Sequence, residues 1–325
     1  MNTLLLSFAG LVLSIIVMFL AMPRFIRFLK NRDINQVTSE YALEEFKNKG
    51  KTPIMGGLLF VVIPIIVFIL IDFKGLIDRR VEFVLLSYIL YCSVGFIDDA
   101  LVIRSHSNEG LSPKTRLIME FVYTLGLFLL YRDIIPMQVT IPFVHATVSI
   151  HWLVFAVFMI LLYMAEANAV NFTDGMDGLC AGVSFFALLP FVYLSYRYSY
   201  LNITIFLMCI LGGLIGYLHF NFHPAKIFMG DSGSLALGAL FASLGIVMDL
   251  NFALFFIGGV FVIEMFCVVL QQISVRVFHK RVFTYTPIHY AFVIKGFKET
   301  KIVLSFYALQ IVLSLIGLFI ALNTL

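Results

Sequence analysis

Charged residues are scarce in this chain. Asp, Glu, Lys and Arg together supply 13% of its 325 residues, about half the share found in soluble domains. Apolar residues supply 61%, and the mean hydropathy is +1.01. That excess does not fit inside one aqueous core, so a water-soluble globule is excluded. Cysteine is also sparse. Cys92, Cys180, Cys209 and Cys267 lie in or beside apolar runs and form no CxxC pair, which argues against a disulfide framework or a zinc site. A net charge of +3 is too small to argue for a nucleic-acid partner. Linkers rich in Pro or Ser, low-complexity tracts and obvious repeats are missing, so residues 1–325 read as a single transmembrane domain.

What the chain has instead is apolar runs of about 20 residues, the length that crosses a roughly 30 Å hydrocarbon layer. They predict spans at 3–22, 56–71, 82–97, 116–131, 150–165, 179–196, 201–218, 232–248, 253–274 and 302–323. Backbone groups in lipid must be satisfied within each span, so these are expected to be helices. The first run has its basic residues after it (Arg24, Arg27, Lys30) and none before it. That is the reverse of a signal peptide, so the run is read as a membrane helix. The loops after odd-numbered spans hold 17 of the 22 Lys and Arg residues, and positive loops stay in the cytoplasm. The expected fold is an all-α polytopic membrane protein of about ten transmembrane helices, with both termini extracytoplasmic.

Acids near helix ends need an explanation in such a protein, and several fall in loops assigned to the cytoplasm. Asp98 and Asp99 end the third span in GFIDD. Asp174 and Asp177 open the sixth in NAVNFTDGMDGL, where a shared helical turn would place them on one face. Asp231 opens the eighth in KIFMGDSGSLALG. Adjacent carboxylates repel and resist burial, so Asp98–Asp99 points to a divalent cation or to general-base work, against a plain solvated helix end. A glycine-rich helix start suits phosphate, and an acid there suits a bridging metal, against an ordinary N-cap. Asn168 and Asn171 add uncharged polar groups to the same stretch. Lys51, Lys114 and His289 lie in the same set of loops; each alone could be an interfacial lysine or a plain loop histidine. Oxygen-only donors favour Mg²⁺ or Mn²⁺ over zinc. The residues therefore point to Mg²⁺-dependent phosphoryl chemistry at the cytoplasmic membrane face.

Six segments occur in family order: KTPIMGGL (51–58), GFIDD (95–99), GLSPKTRL (110–117), NAVNFTDGMDGL (168–179), IFMGDSGSLALG (227–238) and TPIHYAFVIKGFKE (286–299). They resemble those of the polyprenyl-phosphate N-acetylhexosamine-1-phosphate transferases, and most closely the branch whose donor is UDP-MurNAc-pentapeptide. The resemblance implies transfer of phospho-MurNAc-pentapeptide to undecaprenyl phosphate in an inner, cytoplasmic membrane, giving lipid I and UMP for peptidoglycan synthesis. It also implies Mg²⁺ as cofactor, a ten-helix fold and often a homodimer. By motif, Asp231 matches the metal-ligating aspartate, and Asp98 and Asp99 match the aspartate pair that assists attack. Lys51 and Lys114 match active-site lysines. Asn168, Asn171, Asp174 and Asp177 match the nucleotide-binding stretch, and His289 matches the first of three histidines, followed here by Tyr290 and Ala291. Two other readings stand beside this one: a sister transferase using UDP-GlcNAc, and an ion-coupled transporter, whose acids should lie near the bilayer midplane. Glu264 is the intramembrane acid noted for that second reading.

Overall fold

The computed structural model describes residues 3–35, 52–105, 110–144 and 146–324. Within them the chain is almost wholly helical. In order come α1 (Thr3–Asn31), α2 (Gly56–Ile71), a 3-10 turn (Phe73–Ile77), α3 (Arg79–Ser105) and α4 (Pro113–Tyr131). A two-stranded hairpin follows, β1 (Gln138–Ile141) and β2 (Ala146–Ser149). Then come α5 (Trp152–Thr173), α6 (Leu179–Arg197), α7 (Leu201–Asn221), α8 (Asp231–Val247), α9 (Asn251–Ile257), α10 (Gly259–Phe278), α11 (Ile288–Ile294) and α12 (Glu299–Leu322). The hairpin is antiparallel, with Thr140 opposite Thr147 and Val139 opposite Val148.

All ten predicted spans are helical. Seven of the helices among the described residues are long and apolar enough to cross a membrane. α2 and α8 are apolar but shorter, and α4 carries Lys114, Arg116 and Glu120 in its first two turns. The segment expected as one span at 253–274 is divided at Gly258 into α9 and α10. α3 and α5 run on past their apolar stretches, to Ser105 and Thr173. Helical hydrogen bonding does not require apolar side chains, so hydropathy alone ended these helices too early. Asp98, Asp99, Asn168 and Asn171 consequently lie on helix.

α8 forms the centre of the bundle. Every residue after Asp231, from Ser232 to Val247, is buried, with α2, α3 and α5 packed around it. Its small residues permit that enclosure. A Cβ on Gly238 would strike the α5 backbone at Ala167, so the two helices meet main chain to main chain, as small residues allow in membrane bundles. At the opposite extreme, α1 and α12 present exposed side chains such as Leu4, Leu5, Phe8, Leu315 and Phe319, as expected of faces turned to lipid.

Candidate active site

Five helix ends meet at one pole of the bundle: the C-terminal ends of α3 and α5, the N-terminal ends of α4 and α8, and the turn into α6. Gly230 precedes α8 with φ 76°, in the region that glycine enters without strain. A side chain there would fall on the Asp99 carboxylate, 2.7 Å away. That close approach lets Asp99, only 3% exposed, cap α8 from a different helix. Its Oδ1 accepts the Asp231 N–H at 3.0 Å, and its Oδ2 accepts the Ser232 N–H at 3.1 Å. No local side chain caps this helix. Two of its otherwise unpaired N–H groups are thus satisfied by an anion placed at the positive end of its dipole.

Asp231 is the first residue of α8, and its side chain is 25% exposed. Its Oδ2 accepts from Arg116 Nη1 at 2.9 Å and its Oδ1 from Asn171 Nδ2 at 2.8 Å. Arg116 also reaches Glu120 one turn along α4, Nε to Oε1 at 3.2 Å, and Glu120 is fully buried. Asn168 Nδ2 donates to the other Glu120 oxygen at 3.3 Å. Arg116 Nη2 lies inside the cluster with no hydrogen-bond partner among the described residues. Asp98 is partly buried; its Oδ1 accepts the Leu111 N–H at 2.8 Å, and the charge of Asp231 bears on it.

Asp174 and Asp177 do not share a helical face. Asp174 is the C-cap of α5, and Asp177 lies in the turn before α6 begins at Leu179, because Gly175 and Gly178 break the helix that a continuous span would need. The two side chains diverge. Asp174 faces the first cluster. Burial, then the charges of Asp231, Asp99 and Asp177, push its carboxyl up to about 8 against a lowering hydrogen bond from the Gly230 N–H. Asp177 turns the other way. Its Oδ2 accepts the Ala225 N–H at 3.1 Å and lies 2.9 Å from His223 Nδ1, while its own N–H donates to Glu299 Oε1 at 2.8 Å. Ligand atoms of Asp177, His223 and Glu299 fall within 4.8 Å of one another, close enough to hold a metal ion.

His289 is fully buried in α11. Its Nδ1 sits 3.0 Å from Glu264 Oε1, and Glu264 Oε2 accepts the Ile288 N–H at 2.7 Å. The Glu264 carboxylate orients the ring with Nδ1 toward it and Nε2 away from it. That Nε2 has no partner among the described residues and packs against Gly175. Beside it, the Tyr290 hydroxyl donates to the Gly175 carbonyl at 3.0 Å.

The predicted residues thus fall into three groups. Asp98, Asp99, Asp231, Asn168, Asn171 and Asp174 converge. Asp177 and His289 flank the same 174–178 turn. Lys114 is exposed at the start of α4 and forms no ion pair among the described residues. Lys51 lies outside the described residues, although its motif docks at the site: the Gly56 and Gly57 N–H groups donate to the Phe228 and Met229 carbonyls, both at 2.8 Å. Sequence reasoning passed over Arg116 and Glu120. Their i, i+4 spacing beside GLSPKT was the available signal. His223 and Glu299 gave no signal beyond their motifs. The carboxylates of Asp231, Asp98 and Asp174 are hard oxygen donors facing one small volume, a set that fits Mg²⁺ better than softer metals.

Comparisons with known proteins give the chain's family. A family model described as glycosyl transferase family 4 matches residues 81–249. A phospho-N-acetylmuramoyl-pentapeptide-transferase from Halalkalibacterium halodurans is 33% identical over 95% of this chain and 96% of its own. The protein of that name from Bacillus subtilis gives 33% over 95% and 96%, and that from Campylobacter lari 35% over 91% and 89%.

Proposed function

The chain belongs to the phospho-N-acetylmuramoyl-pentapeptide-transferase family, within glycosyl transferase family 4, and from that premise we propose that it transfers phospho-MurNAc-pentapeptide from UDP-MurNAc-pentapeptide to undecaprenyl phosphate. An oxygen of the lipid phosphate attacks the donor's β-phosphorus. A P–O bond forms there, the bond to the α-phosphate oxygen breaks, and UMP leaves as lipid I is made. We place the acidic pole on the cytoplasmic side of the inner membrane, with ten crossing helices and both termini outside; the Lys and Arg distribution supports that reading. A homodimer is included on the family resemblance.

The observation that carries the reading is the convergence of Asp98, Asp99, Asp174 and Asp231 on the N-terminus of one buried helix. Phosphoryl transfer is chiefly a matter of positioning and charge neutralisation. Two anionic reactants approach a site that already holds four carboxylates, so it needs cations. Asp231, with Asp98 and Asp174 beside it, would hold Mg²⁺, which when bound supplies charge neutralisation for the diphosphate. Arg116, with its unpartnered Nη2, offers a donor to a phosphate oxygen. Lys114 and Lys51 would draw the anionic substrates toward the membrane face. Asp98 is the better candidate for assisting attack, because both oxygens of Asp99 are taken up by the α8 backbone. Asn168 and Asn171 hold the site's charged groups in register, and Asp177 and His289 line the turn where the nucleotide would seat.

The test is UMP release by the purified protein in detergent with undecaprenyl phosphate and Mg²⁺, offering UDP-MurNAc-pentapeptide and UDP-GlcNAc separately. Turnover with the first alone is expected. Turnover with UDP-GlcNAc alone would refute the donor, and no phosphoryl transfer from either would refute the reaction. Asp231→Asn should abolish turnover while leaving folded protein.

A further inference from the structure

A second polar feature lies at the far pole. Here the C-terminal ends of α4, α8 and α12 meet the start of α3, and the β1–β2 hairpin folds over them. They line an open cavity of about 540 Å³, within the roughly 300–1,000 Å³ range of small-molecule sites. The transferase chemistry proposed above uses none of it.

Its floor is Asp249, the second residue beyond α8 and 7% exposed. Asp249 Oδ2 accepts from Gln138 Nε2 at 3.1 Å and from Thr140 Oγ1 at 2.7 Å. Thr140, having donated its hydroxyl proton, accepts from Thr147 at 3.2 Å. Asp249 Oδ1 is buried and has no partner among the described residues. This carboxylate also stands at the C-terminal, negative end of a helix dipole, where an anion is disfavoured. A second acid, Asp133, lines the same cavity, and its described ion pair is with Arg79 at 2.9 Å. Half-satisfied buried carboxylates are costly, and the described protein supplies Asp249 with no cation.

The wall carries a cation. Arg80 sits in the first turn of α3, the positive end of that helix. Its guanidinium lies over the Tyr200 ring, 5.1 Å from the centroid, and forms no ion pair among the described residues. That ring contact leaves guanidinium N–H groups for a planar or tetrahedral anion. The cavity thus offers a half-satisfied carboxylate at its floor and an exposed guanidinium at its wall.

We propose that this cavity binds the zwitterionic headgroup of an aminophospholipid, with the primary ammonium at the Asp249 carboxylate and the phosphate on Arg80. The hairpin favours a lipid over a free solute. Its Gln138, Thr140 and Thr147 face the cavity, while alternation turns Val139, Ile141 and Val148 to the other side, where Ile141 and Val148 are exposed. Val144 and Phe143 at its tip are exposed too. A polar inner face and an apolar outer face suit a flap at the membrane interface, open to headgroups and flanked by acyl chains.

The test is lipid binding by native mass spectrometry of the full, delipidated protein. It would be titrated with dioleoyl phosphatidylethanolamine, phosphatidylcholine and phosphatidylglycerol, and separately with soluble phosphoethanolamine and with Mg²⁺. Phosphatidylethanolamine should bind about tenfold more tightly than phosphatidylcholine, whose trimethylated nitrogen has no N–H for the Asp249 carboxylate. Asp249→Asn should erase that preference. Arg80→Gln should weaken both lipids alike, and because the Arg80 guanidinium is exposed and has no ion pair among the described residues, this variant remains informative if Asp249→Asn fails to fold. Equal binding of the two lipids, or a preference that survives Asp249→Asn, would overturn the proposal. So would soluble phosphoethanolamine binding without lipid binding, or Mg²⁺ binding that Asp249→Asn abolishes.

Discussion

Asp99→Asn tests the claim that Asp99 builds the site by capping a neighbouring helix. The native carboxylate accepts two backbone N–H groups, at 3.0 and 3.1 Å, in a setting 3% exposed. An amide keeps one acceptor and turns an NH₂ toward the second donor. Hydrogen bonds to charged groups are worth about 1.5–3 kcal/mol each, and a stranded buried N–H costs about 1–3 kcal/mol. Loss of the anion at the helix dipole adds about 0.3–1 kcal/mol. Relief of burying a charge beside Asp231 offsets part of this. The net expectation is a loss of about 2 kcal/mol, or roughly 4 °C in melting temperature for a chain of this size. Asp98→Asn is the control, because its single bond from Leu111 can be kept by an amide oxygen. It should melt like the parent while losing turnover. Hydrogen exchange gives the local reading: amides 231–234 should exchange faster in Asp99→Asn and not in Asp98→Asn. Parental protection of those amides in Asp99→Asn would refute the capping argument whatever the activity.

Arg116→Gln should destabilise by about 3 kcal/mol, because it strands the fully buried Glu120 without its cation; adding Glu120→Gln should restore most of the melting temperature, and a single variant as stable as the parent would contradict the pairing. Asp174, held at about 8, keeps its proton in the fold where the unfolded chain has lost it above about 4. Its burial penalty therefore grows as pH rises from about 4 and is complete above about 8. In metal-free buffer Asp174→Asn should raise the melting temperature more at pH 8 than at pH 5, and a gain independent of pH would refute the shift. Glu264→Ala removes two acceptors from the start of α11 and should speed exchange at residues 288–291; unchanged protection there would show that Glu264 does not anchor the segment.

Legibility from sequence followed the physical signal behind each feature. Hydropathy located every long helix, because burial in lipid is written residue by residue. It misplaced helix ends wherever polar residues continue a helix, as at Asp98–Ser105 and Asn168–Thr173, and it missed the break at Gly258, which leaves the apolar run unchanged. The acids of the site were visible as anomalies in an apolar background. Their partners were not, since Arg116 meets Asp231 across 115 positions and Asp99 meets the α8 backbone across more than 130. The 174–178 turn stayed open in the sequence, because two aspartates three apart allow one helical face while Gly175 and Gly178 allow a turn. The buried Asp249 had no signature at all: an acid after a span reads as a solvated helix end until the fold buries it.

The packing of α8 also decides between an enzyme and a conduit. A transporter needs polar groups that lead from one face to the other. Asp98, Asp99, Asp174 and Asp231 lie at one pole, and Asp133 and Asp249 at the other. Between them run the sixteen buried residues from Ser232 to Val247, whose polar side chains are three serines. Ser234 bonds to Asn171 and Ser243 to the Leu240 carbonyl. Gly238 rests directly on the α5 backbone, leaving no room there for an ion or a water file. Of the intermediate acids, Glu264 is taken up by Ile288 and His289, a segment that enters from the acidic pole. Glu166, an acid on α5 that sequence reasoning did not single out, is buried with Oε2 unpartnered among the described residues and stands behind that same Gly238 contact. A pathway through the centre would therefore require α8 to leave its place, carrying Asp231 with it. A fixed α8 instead holds Asp231 at one face of the bundle, as a phosphotransferase centre requires.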